Sequence, residues 1–352
     1  MPRFFGVDLA WRDSTPARAA NETGLAVIDE TGAVLSAGWE RGVDAVAAWL
    51  IASAAPGDVI AIDAPLVVTN AAGMRQAERE VASGYGRWKV AANPMNLASP
   101  LQGGTLLRER LEHAGFVYVD GTEPAPTDRV ALFECYPYTT IVGMEELGYD
   151  ERRPRYKRLD PAASRTEARV LRAAACDQLI ERMTGLDTAD PPLRMRSHPL
   201  SAALVDDDSP LLDAPYKHRE DLLDALLCAW TASIWHRHGG ARVQVLGAGA
   251  APDESGRRPT IVAPARPMQR VAEPEPAPVA AVSADLEDRA DGASRSTALS
   301  AGDAELEIGM LARVLALSAE LQASDGQRLE PALRSELGEL AARIARRLAA
   351  EH

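Results

Sequence analysis

The stretch Y-K-H-R-E-D-L-L-D-A-L-L-C-A-W at 216–230 constrains the fold more than any other part of the chain. Leu222, Leu223, Leu226 and Leu227 recur at helical spacing, and Asp221 and Asp224 lie three apart, so their Cβ atoms share one helix face at about 5–6 Å. Carboxylates in so apolar a helix are costly unless they are solvated, paired or bound to a cation. Acids also gather in first helical turns because the helix dipole favours negative charge there. The pair alone therefore decides nothing. Three further acids upstream, in strand-like contexts, give it a functional meaning.

Residues 4–11 read as a buried strand carrying Asp8, and 24–29 and 33–39 as two more, separated by the turn signal Glu30-Thr31-Gly32. A three-stranded meander is the simplest account. Val43, Val46, Ala47 and Leu50 predict a helix over 43–54, which Pro56-Gly57 stops before a strand at 59–65 with Asp63 near its end. A short helix is expected over 72–82, carrying Arg75, Glu78 and Arg79. The segment 84–104, rich in glycine, asparagine and proline and holding Trp88 and Lys89, reads as a long loop of the kind that covers a site. A helix at 106–114 and an apolar piece at 116–119 precede a strand at 130–136. There Glu134 sits inside A-L-F-E-C-Y-P, where it is either paired, functional or turned to solvent on an edge. The basic run 152–172, from Arg152 through Lys157 and Arg158 to Arg172, reads as a solvated face, with a phosphate-contacting flank as the alternative. A helix over 164–183, a short one over 199–205, and a closing hairpin of 243–246 with 260–263 complete the pattern.

Composition separates this part from the rest. Up to residue 266 the apolar content supports a core; 267–302 is alanine, proline and acid with almost no large apolar residues, and reads as a flexible linker. Stripes such as Leu306, Met310, Val314, Leu317 and Leu321, then Leu333, Leu337, Leu340, Ile344 and Leu348, predict a helical hairpin or short coiled coil over 303–352. Neither stripe is stable alone, so self-association or a protein partner through 303–350 is expected. The net charge of −13 argues against binding nucleic acid by bulk attraction, though a local basic groove is compatible with it. Cys135, Cys176 and Cys228 form no C-x-x-C, which argues against a zinc finger or a disulfide framework and fits a reducing compartment. With no signal-peptide core and no run of membrane-span length, the expectation is a cytoplasmic protein with no membrane partner.

Five pieces, in order, then carry a resemblance: G-V-D-L-A-W at 6–11, I-D-A-P at 62–65, R-x-x-E-R at 75–79, F-E-C-Y-P at 133–137, and Y-K-H-R-E-D-L-L-D-A-L-L-C-A at 216–229. Over residues 1–266 the chain resembles a family of predicted nucleases with an RNase H-like fold, the domain of unknown function 429 (DUF429). The resemblance implies an α/β fold: an RNase H-like mixed five-stranded sheet flanked by helices, here with the C-terminal helical hairpin added. It also implies a metal-dependent nuclease. Hydrolysis of a phosphodiester uses one cation to generate hydroxide and another to stabilise the leaving oxygen, about 3.5–4 Å apart, and oxygen ligands suit Mg²⁺ or Mn²⁺. Asp8 is the expected bridging ligand. Asp63 or Glu134 would hold one side, and Asp224 with Asp221 would close the site. Lys217 and His218 stand where they could neutralise a scissile phosphate or move a proton, although His218 is equally an ordinary helix-start residue. Arg12, Arg75, Arg79 and Lys89 are the expected contacts to a nucleic-acid or phosphoester substrate. Two other readings of the same fold stay open. An ATP-dependent phosphotransferase would need a Gly- and Thr-bearing turn after Asp8, where the chain has Leu9-Ala10-Trp11-Arg12, and no Walker motif occurs. A non-catalytic scaffold would need no cation at Asp8.

Overall fold

A computed structural model describes residues 1–13 and 18–269. The helical hairpin expected over 303–352, and all but the first three residues of the linker expected over 267–302, lie outside the described residues. In chain order the strands are β1 (Phe4–Asp8), β2 (Glu22–Ile28), β3 (Val34–Arg41), β4 (Val59–Ile62), β5 (Val117–Tyr118), β6 (Ala131–Glu134), β7 (Val243–Leu246) and β8 (Ile261–Pro264). The helices are α1 (Val43–Ser53), α2 (Gln76–Tyr85), α3 (Gly103–His113), α4 (Pro137–Gly143), α5 (Arg165–Thr184), α6 (Pro199–Asp206) and α7 (Asp213–His238).

The main sheet has the order β3-β2-β1-β4-β6-β5. The first three strands form the expected antiparallel meander, and β4, β6 and β5 continue the sheet in parallel. This is the mixed sheet flanked by helices that the resemblance implies, with six strands in place of five. The sixth, β5, is only two residues long and extends the sheet at its edge beside β6. β7 and β8 pair antiparallel as the closing hairpin.

Side chains alternate across a strand, and here the alternation sorts the core into two layers. Phe5, Val7, Ile60, Ile62 and Leu132 face α1 and α3 through Val46, Leu50, Leu107 and Leu111. Phe4, Ala61 and Phe133 face α7. That helix packs on β1, β2 and β4 and is itself covered by α4, α5, α6 and β8, so it is buried almost all round from Arg219 to Trp235. Its approach to the sheet depends on two glycines. A Cβ on Gly6 would stand 1.9 Å from the Ala225 carbonyl oxygen, and one on Gly24 would stand 1.9 Å from that of Asp221. Backbone therefore meets backbone, and Asp221 and Asp224 are brought down onto β1.

Two local features depart from expectation. α2 begins at Gln76 rather than near residue 72, because the Arg75 N–H is capped by Glu78 Oε2 at 3.0 Å. α4 follows directly on β6, with Pro137 in its first turn, where its fixed φ suits a helix start. All three cysteines are free and buried. No helix among the described residues is long and apolar enough to cross a membrane.

Candidate metal centre

The parallel register of β1 and β4 pairs Val7 with Ile62, so the next residue of each chain, Asp8 and Asp63, emerges on the opposite face, toward α7. The Asp63 N–H donates to the Val7 carbonyl at 2.8 Å, which holds the two ends level. From α7 Asp224 completes the group: one carboxylate oxygen from each of Asp8, Asp63 and Asp224 lies within 4.8 Å of the others. All three are buried, Asp224 completely.

Asp224 is held from two sides. The Tyr156 hydroxyl donates to its Oδ1 at 2.7 Å, and the Lys157 ammonium stands 2.5 Å from its Oδ2 and 3.6 Å from Asp63 Oδ2. Two helical turns before Asp224, Lys217 places its Nζ 2.6 Å from Asp221, 3.1 Å from Glu220 and 3.9 Å from Asp8. Five carboxyl groups, Asp8, Asp63, Glu220, Asp221 and Asp224, thus face two ammonium groups, Lys157 and Lys217. The imbalance is visible in their protonation. Burial, only partly offset by Lys157, pushes the Asp63 carboxyl up to about 8. Burial and the neighbouring Asp8, against Lys217, push Asp221 up to about 9. Glu220 rises to about 7 through burial, and Asp224 is raised for the same reason.

These residues fit a divalent cation. The donors are hard oxygens that converge, the negative charge exceeds the positive, and Asp221 Oδ2 is buried without a hydrogen-bond partner. A cleft of about 340 Å³ opens beside the cluster, within the range of small-molecule sites. Its walls include Asp63 and Lys157, the rings of Trp11, Tyr136 and Tyr138, and the cations Lys89, Arg153 and Arg158. The Trp11 indole donates to the Asp63 carbonyl at 3.1 Å and fixes one wall, while the Arg153 guanidinium lies 4.2 Å from the Tyr138 ring centre.

Residues 6–248 match the family described as protein of unknown function (DUF429). The chain belongs to the DUF429 family. No curated protein and no solved structure matches it. The matched span contains every member of the cluster.

The other residues expected at the site of this DUF429 chain lie outside the three converging carboxylates, some of them in the wall of the cleft. Ile62 pairs with Glu134, so Glu134 shares the face of Ile62, opposite to Asp63. Both of its oxygens accept from Arg75, at 2.6 and 2.7 Å, and one also accepts from the Leu66 N–H at 3.1 Å. Glu134 is therefore ion-paired and stands outside the convergent three, in the wall of the cleft. Arg75 is buried with it and bonded also to Glu78 and the Val67 carbonyl, and both Arg75 and Glu134 stand in the wall of the cleft. His218 is turned away: its ring stacks on Trp39 with centres 3.6 Å apart, and Nδ1 lies 2.7 Å from Glu22. Lys89 lines the cleft. Arg79 and Arg12 are exposed and do not line it; Arg79 donates to the Met74 carbonyl.

The basic run 152–172 divides. Arg165, Arg169 and Arg172 gather on Asp213, and Arg155 pairs with Asp160, whereas Lys157 turns inward to the carboxylates. Tyr156 and Glu220 at the cluster, and Trp11, Tyr136 and Tyr138 in the cleft wall, are residues that sequence reasoning missed, while Lys157, Arg153 and Arg158 belong to the basic run whose alternative reading was a phosphate-contacting flank. The available signal was Tyr156, an aromatic inside a charged run, whose burial pulls Lys157 in beside it.

Proposed function

We propose that this DUF429 protein is a divalent-cation-dependent phosphodiester hydrolase, a nuclease working with Mg²⁺ or Mn²⁺. The observation that carries the reading is the convergence of Asp8, Asp63 and Asp224, buried and short of positive charge, beside a cleft with a cationic rim. Asp8, Asp63 and Asp224 would hold the cation. When bound, it supplies Lewis-acid stabilisation of negative charge at phosphorus and makes water acidic enough to attack at neutral pH.

The chain's own residues supply the remainder. Tyr156 fixes the rotamer of Asp224 by occupying Oδ1, which leaves Oδ2 directed into the cluster. Arg153, Arg158 and Lys89 are placed to bind the phosphate oxygens of a substrate in the cleft. Trp11, Tyr136 and Tyr138 give the cleft aromatic walls on which a base or sugar can rest. Lys217 keeps Asp221 and Glu220 in place behind Asp8.

The test is calorimetric titration of the full chain with Mg²⁺ and Mn²⁺, wild type beside Asp8→Asn and Asp224→Asn, followed by a cleavage screen over single-stranded, duplex and branched nucleic acids. Both variants are expected to keep the wild-type circular dichroism and to lose cation binding and cation-dependent cleavage together. Cleavage retained in both variants overturns the proposal.

A further inference from the structure

The position that a divalent cation would take between Asp63 and Asp224 is held by an amine. Lys157 Nζ is 2.5 Å from Asp224 Oδ2 and 3.6 Å from Asp63 Oδ2, so one ammonium spans the two carboxylates. The Tyr156 hydroxyl donates to Asp224 Oδ1 at 2.7 Å. An ammonium and a divalent ion cannot share this space, because like charges a few ångströms apart in a poorly screened interior repel strongly.

The geometry also provides somewhere for the amine to go. Tyr156 is fully buried, and its carbonyl accepts from the Tyr216 hydroxyl at 2.5 Å, so the backbone beside Lys157 is anchored. The lysine stem beyond it is a flexible four-carbon chain, and 18% of the side chain is exposed. On the cleft side the Tyr138 ring centre lies 5.4 Å from Nζ, within reach of a cation–π contact. Arg153 and Arg158 line the same cleft.

We propose that Lys157 is an exchangeable counter-ion: its ammonium balances Asp63 and Asp224 in the cation-free protein, and an entering divalent cation drives it into the cleft, where it binds a substrate phosphate beside Arg153 and Arg158. The inference rests on the reading of the carboxylates as a cation site. It makes Lys157 a residue with two stations on one side chain, neutralising acid at the first and phosphate at the second.

The experiment uses the full chain and needs no turnover. Wild type is treated with a reductive-methylation reagent alone, with Mn²⁺, and with Mn²⁺ plus inorganic phosphate, and labelling of Lys157 is read by peptide mass spectrometry. Mn²⁺ is expected to raise Lys157 labelling severalfold, and phosphate to suppress it again. In parallel, Lys157→Met is expected to bind Mn²⁺ severalfold more tightly than wild type by calorimetry, with Asp8→Asn as the variant that loses the ion. Mn²⁺ binding to the wild type with Lys157 labelling unchanged overturns the exchange and leaves the cation site standing. Exposure by Mn²⁺ without protection by phosphate overturns the phosphate station. No Mn²⁺ binding to wild type or Lys157→Met overturns both the inference and the reading beneath it. The labelling arm decides the matter even where Lys157→Met folds poorly.

Discussion

Asp63 and Glu134 lie on neighbouring parallel strands, one register step apart, and that step gives them different work. Ile62 pairs with Glu134, so the Glu134 side chain belongs with Ile62 and Leu132 on the α1–α3 face, while Asp63 projects toward α7. Turned away from the cluster, Glu134 would be an uncompensated buried charge without Arg75, which also serves Glu78. Breaking such a pair by removing one partner costs about 3–5 kcal/mol, since the remaining charge stays buried. Arg75→Met is therefore expected to lower the unfolding free energy measured in urea by about that amount, and an unchanged free energy would refute a structural role for the pair. The acids themselves were legible in the sequence, as carboxylates inside apolar runs. Their sorting into cluster member and ion-pair partner was not, because parity relative to the cluster is fixed only when β6 is laid beside β4. Lys157 was illegible for a related reason: a basic run looks solvated until the buried ring of Tyr156 shows which way the chain turns.

At the scale of elements, the site is a contact between β1 and α7, and its closeness comes from residues with no side chain. Gly24 pairs with Asp8 across β1 and β2 and lies directly beneath the Asp221 carbonyl. A methyl group there must push backbone, not a pliable side chain, so Gly24→Ala is expected at the upper end of overpacking costs, about 3 kcal/mol. The displaced helix would carry Asp221 and Asp224 away from Asp8, and cation binding should weaken along with stability. Gly38→Ala in β3 is the control: a Cβ there meets nothing within 4 Å, and its effect should stay within about 0.5 kcal/mol. Equal behaviour of the two variants in denaturation and Mn²⁺ titration would remove the glycines from the account. Most of this architecture was readable, because the meander, α1, β4 and α7 each announce themselves by apolar period and turn residues. The boundaries of α2 and the existence of α4 were not. Both depend on capping and on a proline that reads equally well as the end of a strand or the start of a helix.

Across the whole molecule, the chain carries an acid excess of −13 and concentrates part of it where water cannot relieve it. The folded, cation-free protein answers by keeping protons. Asp63 moves from 3.8 to about 8, Asp221 from 3.8 to about 9, and Glu220 from 4.5 to about 7, mainly through burial. Between the unfolded and folded values the native state binds more protons than the unfolded chain, so stability falls as pH rises. The contribution of these acids is complete below the unfolded values and is lost as pH climbs through 7 to 9. A divalent cation at Asp8, Asp63 and Asp224 would oppose the dependence by taking the place of the proton on Asp63, and its affinity should increase as that proton is released. Melting temperature in EDTA is thus expected to drop from about pH 6 to about pH 8.5, and Mg²⁺ to restore more at the higher pH than at the lower. Asp8→Asn should flatten the Mg²⁺ effect at both. The difference between the Mg²⁺ and EDTA melts is what isolates the cluster, since ordinary surface acids titrate alike in both. A Mg²⁺ increment that is the same at the two pH values would mean that the protons and the cation do not compete for the same carboxylates, and the acidic centre would then be a proton-sharing structural knot rather than a metal site.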